Sequence, residues 1–218
     1  ERLVNKIEIE NADIVICDYF VINSDIRLIK NSIPKGKEDY IRLLMTKQVA
    51  PSLWGKLYNA TFYKNTHIQF CEAQNYGEDY AVIPRLVYYA KKVVRLRCPL
   101  YYYVQYNLGS YTKNITENSV NQMVWADKIL EEFFSSVPDK EKYTQALILS
   151  KLRTKVNLLK RGNKALFKMI TSLYPELTVH YRFMLSYKDR ILLTLVENHL
   201  YTLALIYIRF GFFISRLK

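Results

Sequence analysis

The stretch Asn11-Ala12-Asp13-Ile14-Val15-Ile16-Cys17-Asp18-Tyr19-Phe20 decides the fold of this chain. A compact apolar run of this length, rich in β-branched residues, suits a strand buried on both faces. Just before it, Leu3-Val4-Asn5-Lys6-Ile7-Glu8 reads as the end of a helix. A helix feeding a doubly buried strand points to an α/β sheet.

Residues 21–37 hold turn chemistry throughout, with Asn23-Ser24-Asp25 and Pro34-Lys35-Gly36, and residues 38–45 follow as a short helix opening on Glu38 and Asp39. The segment Pro51-Ser52-Leu53-Trp54-Gly55-Lys56-Leu57-Tyr58 predicts a helix with proline in its first turn. Gly77-Glu78-Asp79-Tyr80 then runs into an apolar helical pattern from Val82 to Ala90. Residues 93–98 and 100–106 read as two strand pieces divided by Pro99, the second closed by Gly109-Ser110, so the sheet-bearing part ends near residue 112.

Everything beyond reads as helix. Asn114 or Thr116 caps a segment in which Val120, Met123, Val124, Asp127, Leu130 and Phe134 recur at helical steps, one acid breaking the stripe. A second helix, around 141–160, carries Leu149, Leu152, Val156 and Leu159 on one face, and Arg161-Gly162-Asn163 breaks it before a further helix at 164–173. The last segment, Ile191 to Ile214, is amphipathic, with Glu197, Asn198 and His199 on its narrow polar side.

A chain of 218 residues, 50% hydrophobic and 24% charged, folds around a core and is not globally disordered. The net charge of +12 is uneven: residues 1–139 hold 17 basic against 16 acidic residues, and residues 140–218 hold 15 against 4. Residues 151–168 alone contain seven basic residues and no acid. Three cysteines with no close pair offer neither a disulfide framework nor a CxxC site, which suits a reducing compartment. The N-terminus has no secretory pattern and reads as an interior start. Near the C-terminus the longest uncharged stretch, Asn198 to Ile208, is too short to span a bilayer, for which about 20 residues are needed. Nineteen tyrosines, clustered at 88–89, 101–103 and 106, suit sugar or base binding and equally suit the edge of a core.

Chemically, Gly77-Glu78-Asp79 is the sharpest feature. Carboxylates held between a glycine turn and a rigid helix can present an oxygen to an acceptor hydroxyl or a metal, and the same pattern also serves as an ordinary helix cap. Trp54, Lys56 and Tyr58 offer a stacking wall with a phosphate-attracting cation, or alternatively pack a helix. His67, His180 and His199 are far apart, no HxxxH or DxD triplet occurs, and the six glycines form no phosphate cradle. Ser110 and Ser119 lack a nucleophile elbow.

Four strings in order, Asn11 to Tyr19, Pro51 to Asn59, Gly77 to Tyr80, and Leu100 to Tyr103 leading to Gly109-Ser110-Tyr111-Thr112, resemble the inverting glycosyltransferases of family 2, especially bacterial enzymes of cell-surface polysaccharide synthesis. The resemblance covers residues 1–112. It implies a Rossmann-like GT-A domain that transfers sugar from a nucleotide-diphosphate donor to an acceptor hydroxyl with inversion. It further implies Asp79 as the general base, Glu78 as the neighbour that orients acceptor or loop, and Trp54, Lys56, Tyr58 and Tyr80 around acceptor and donor. A divalent cation, Mg or Mn, is implied for the parent enzyme, although the family's acidic metal motif and nucleotide-binding βαβ units have no counterpart in this sequence. The expectation is therefore an α/β chain made of the acceptor-side part of a GT-A domain (1–112) and a helical basic extension (113–218), inactive in isolation.

The implied partners are a nucleotide-sugar donor and a saccharide or lipid-linked acceptor. The basic, aromatic tail also suits an anionic membrane surface at the inner face of the cytoplasmic membrane, or a solvated basic face. An exposed sheet edge or the helices can support a homo-oligomer. A non-catalytic interaction or membrane-surface module is the alternative. Nucleic acid is the weaker partner, because the aromatics lie mainly in the front part and the charges in the back.

Overall fold

A computed structural model describes residues 1–23, 25–31, 33, 36–72, 74–106 and 115–216. The first helix, α1 (Arg2–Glu10), ends where Asn11 turns through the left-handed region at φ 46°, which asparagine tolerates. That turn delivers the chain into β1 (Ile14–Ile22), whose first six residues are all buried, as the apolar run predicts. There follow β2 (Ile26–Ile29), α2 (Lys37–Met45), β3 (Lys56–Tyr58), α3 (Ala60–Asn65), α4 (Glu78–Tyr89) and β4 (Val93–Val104). The remainder is helical: α5 (Glu117–Ser136), α6 (Thr144–Arg161), α7 (Phe167–Thr171), α8 (Pro175–Tyr181), α9 (Tyr187–Glu197) and α10 (Tyr201–Arg216). The chain is a mixed α/β protein.

Strand β1 is the centre of the sheet. It runs parallel to β4 along its whole length, and its other edge pairs antiparallel with β3 at residues 14–16 and with β2 at residues 19–22. Ile14 and Ile16 pack with Tyr40, Ile41, Leu44 and Met45 of α2 and with Ile83, Leu86 and Val87 of α4. Helix α5 joins two cores: Ala126, Leu130 and Phe134 enter this first cluster, and Val120 enters a second built on α6, α7 and α9.

Four local expectations are corrected. Within 21–37, residues 26–29 are a strand, paired Tyr19 to Ile29 through Ile22 to Ile26; with Ile26 and Leu28 exposed, no buried face betrays it. Residues 51–58 form no helix. Gly55 turns at φ 71° and its carbonyl accepts the Cys17 amide at 3.0 Å, which aligns Lys56–Tyr58 as a strand; helix begins only at Ala60, capped by Asn59. The two strand pieces around Pro99 are one strand: Pro99 lies opposite Asp18, where the register shifts, and a bulge is where a missing ladder donor is tolerated. The apolar C-terminal segment is two helices, because the chain turns at Asn198 and His199, the latter at φ 58°.

Other expectations stand. Glu38 and Asp39 occupy the first turn of α2 and Glu78 and Asp79 that of α4. Thr116 caps α5 in a reciprocal capping box with Ser119. Gly109-Ser110, the boundary at 112 and Asn114 lie outside the described residues.

Candidate functional site

The loop 51–55 is held from three sides. Gly55 is tied to β1 through Cys17, the Leu53 amide donates to Asp79 Oδ2 at 3.1 Å, and the Lys56 ammonium donates to the Ser52 carbonyl and, at 3.2 Å, to the Ser52 hydroxyl. Trp54 is thereby set against Tyr101 and Tyr103 of β4, stacked at 4.7 Å between centroids in each case, with Tyr19 of β1 edge-on at 4.8 Å. Tyr101 and Tyr103 reach the same ring because residues two apart in a strand share a face.

This aromatic group borders a cleft of about 570 Å³ that Trp54, Glu78, Asp79 and Tyr80 all line. Gly77, at φ 81°, starts α4 there; a Cβ on it would come within 3.1 Å of Met123 Cε and 3.4 Å of Ala126 Cβ, so α5 sits directly on this turn. Burial raises the Asp79 carboxyl above its ordinary value, with the Leu53 amide and Lys56 opposing. Glu78 is raised chiefly by burial, and the Asp79 charge adds to this. Lys56 is pushed down to about 8 by burial, with Asp79 opposing.

Of the other expected site residues, Lys56 and Tyr58 fall outside the cleft lining. Lys56 stands behind the loop, held by Ser52, and is not part of the cleft wall. Tyr58 packs toward the core and its hydroxyl is buried without a hydrogen-bond partner among the described residues. Tyr80 touches the cleft but is 2% exposed, and its hydroxyl donates to the Met45 carbonyl at 3.0 Å and to Asp127 at 3.2 Å.

The opposite wall was not found from the sequence. Lys47 of the turn after α2, Met123 of α5, and Thr154, Asn157, Leu158 and Arg161 of α6 complete the cleft. Behind them lies a buried polar network. Asp127, 1% exposed, accepts from Tyr80, Ser150 and Thr154 on Oδ1 and from Tyr174 on Oδ2. Lys47 donates to the Thr154 hydroxyl and lies 4.0 Å from the centroid of the Tyr80 ring. The one available signal was the acid interrupting the apolar stripe of α5.

The basic run 151–168 is not one solvated face. Lys151 pairs with Glu131 at 2.6 Å, Arg153 donates to the Thr46 carbonyl at 2.7 Å, the buried Lys155 donates to Thr178 at 3.0 Å, and Lys160 pairs with Asp189 at 2.6 Å. Arg161 reaches the cleft, and Lys164 and Lys168 are exposed.

Among the described residues no three His, Cys, Asp or Glu side chains converge, and Glu78 and Asp79 stand with a backbone amide and a lysine. Among the described residues no helix is long and apolar enough to cross a membrane. Comparison with models of protein families, with curated proteins and with solved structures finds no match to the chain.

Proposed function

We propose that the chain is the acceptor-side part of a Rossmann-like GT-A glycosyltransferase of the inverting family 2 type, acting in cell-surface polysaccharide synthesis. The observation that carries this reading is the Asp79 carboxylate, fixed by the Leu53 amide at the head of α4 and opening into a cleft walled by Trp54. Aromatic faces bind the apolar faces of sugar rings, and a carboxylate on a rigid helix start can be kept within about 3 Å of a bound hydroxyl. In the reaction Asp79 takes the acceptor hydroxyl proton as the acceptor oxygen bonds to the anomeric carbon. The bond from that carbon to the donor phosphate breaks, and the nucleoside diphosphate leaves with the electron pair. Glu78 orients the acceptor or loop, and Lys56 holds the Ser52 to Trp54 rim.

The test is Asp79→Asn in a chain that also carries the donor-binding part. Sugar transfer is expected to fall nearly to background with donor binding retained; undiminished turnover would falsify the base assignment.

A peripheral seat on the cytoplasmic membrane is the second element of the proposal. Val179, Phe183 and Tyr187 are each more than 70% exposed, and Leu203, Ile206 and Phe210 form an exposed stripe at helical spacing on α10. Flotation with anionic vesicles, but not with neutral ones, is expected; no lipid-dependent shift removes this element and favours a protein-interaction module.

A further inference from the structure

The cleft carries opposite charges on its two walls. Glu78 and Asp79 occupy one side, and Lys47 and Arg161 stand on the other with Thr154 and Asn157. Residues 154, 157 and 161 follow one another at i, i+3 and i+7, so α6 presents a hydroxyl, an amide and a guanidinium along a single face.

Lys47 reaches this wall from the left-handed position, at φ 55°, that closes α2: its amide donates to the Leu44 carbonyl and the Gln48 amide to the Leu43 carbonyl, an ordinary helix C-terminal motif. The anion behind the wall, Asp127, already accepts from four hydroxyl groups. The side chains of Arg161 and Asn157 make no hydrogen bond or ion pair with the described residues, although four other basic side chains of α6 are tied down. Burial lowers Lys47 to about 8, and the charges of Arg161 and Arg153 press in the same direction against Asp127. Asp127 is thus the counter-charge of Lys47, while Arg161 and Asn157 bring a charge and donors to the wall that the described residues do not use.

We propose that Lys47, Asn157 and Arg161 form a phosphate subsite and that the acceptor is a phosphorylated saccharide or a saccharide on a lipid phosphate. This rests on the transferase reading only for the word acceptor. A tetrahedral phosphate offers enough oxygens for an ammonium, an amide and a guanidinium together, and charge-assisted bonds of this type are the strong ones. The phosphate would hold one end of the ligand while a sugar hydroxyl faces Asp79 across the cleft.

The 218-residue chain is titrated calorimetrically with inorganic phosphate, a hexose 1-phosphate and the free hexose. The hexose phosphate is expected to bind more tightly than the hexose, and Arg161→Gln to weaken it about ten-fold, the loss of one charge-assisted bond. Because Arg161 is exposed, this variant leaves the fold intact. Lys47→Arg should keep most of the binding that Lys47→Gln loses. Equal affinity of wild type and Arg161→Gln for hexose phosphate overturns the subsite, as does equal affinity for hexose and hexose phosphate. A uronate that binds as well as the phosphate overturns the assignment to phosphate. Sedimentation with phosphatidylcholine vesicles containing a polyprenyl phosphate separates the sources. Arg161-dependent co-sedimentation identifies a lipid phosphate, and Arg161-dependent hexose phosphate binding without it identifies a soluble one. If that binding is found while a chain that also carries the donor-binding part transfers no sugar, the subsite stands and the transferase reading falls.

Discussion

The hydroxyl of Tyr80 donates to the carboxylate of Asp127 at 3.2 Å across 47 positions of sequence. Tyr80 directly follows Asp79, so this contact joins the helix bearing the proposed base to the helical half of the chain. The helix that carries Asp79 is therefore anchored from the helical half as well as through the Leu53 amide.

Asp127→Ala removes the acceptor for Tyr80, Ser150, Thr154 and Tyr174 at once. Hydroxyls left unpaired in the interior make this expensive, and a loss of about 3 kcal/mol is expected in urea unfolding. Asp127→Asn keeps one acceptor oxygen and should lose clearly less. A loss below about 1 kcal/mol for the alanine variant would show that the network is dispensable.

Asp79 has a definite pH signature. Its raised carboxyl binds a proton more readily in the folded chain than in the unfolded one. The associated stability is complete below the ordinary carboxylate value and is lost as pH rises through the folded value. At neutral pH, Asp79→Asn should match or exceed the wild type in thermal stability and flatten the acid-range slope, while transfer is lost. In a chain joined to the proposed donor-binding part, the acid limb of the transfer rate should fall above the usual carboxylate range.

Lys47 and Lys56, both lowered to about 8, act in the opposite direction. Between about pH 8 and the ordinary lysine value the unfolded chain binds more protons than the folded one, so stability rises with pH across that window. Below it the cost of the buried charges is complete. Urea midpoints taken from pH 8 to about 9, where tyrosines of the unfolded chain are still largely protonated, should climb in the wild type and climb less in Lys56→Met. A slope unchanged by the substitution would assign the effect to other groups.

Gly77→Ala is expected to destabilise the chain by about 1–2 kcal/mol, because the position is at φ 81° and the added carbon meets Met123 and Ala126. Met123→Ala in the same chain should relieve the collision and leave the backbone strain. Non-additive melting temperatures in the double variant are the readout.

How much was legible in the sequence depended on whether a residue's role was local. The apolar run at 14–22 and the acids at the head of α4 announce themselves, because burial on two faces and a helix start leave local patterns. Residues 26–29 did not, since an exposed four-residue edge has no buried face to create periodicity. Pro51 and Pro99 misled for a common reason: proline marks a departure from regular backbone, and only the partner strand decides whether that is a helix start, a loop or a bulge. On one side of the cleft Trp54, Glu78 and Asp79 were found. Lys47, Asn157 and Arg161 were not, because their convergence is created by the packing of α5 and α6 and is encoded at no single spacing.

The parallel pairing of β1 with β4 also bears on how the chain acquires its shape. Ile14 meets Val93, so about 80 residues must be looped before the central ladder can close, whereas the helices beyond residue 116 meet close neighbours. The C-terminal bundle is expected to fold first and the ladder to limit the rate. On the ribosome, β1 emerges long before β4, and one edge of an apolar strand stays open until residues 93–104 have been made, while β2 and β3 can pair with the other. Mutations that delay β4 should therefore lower yield without altering the finished cleft.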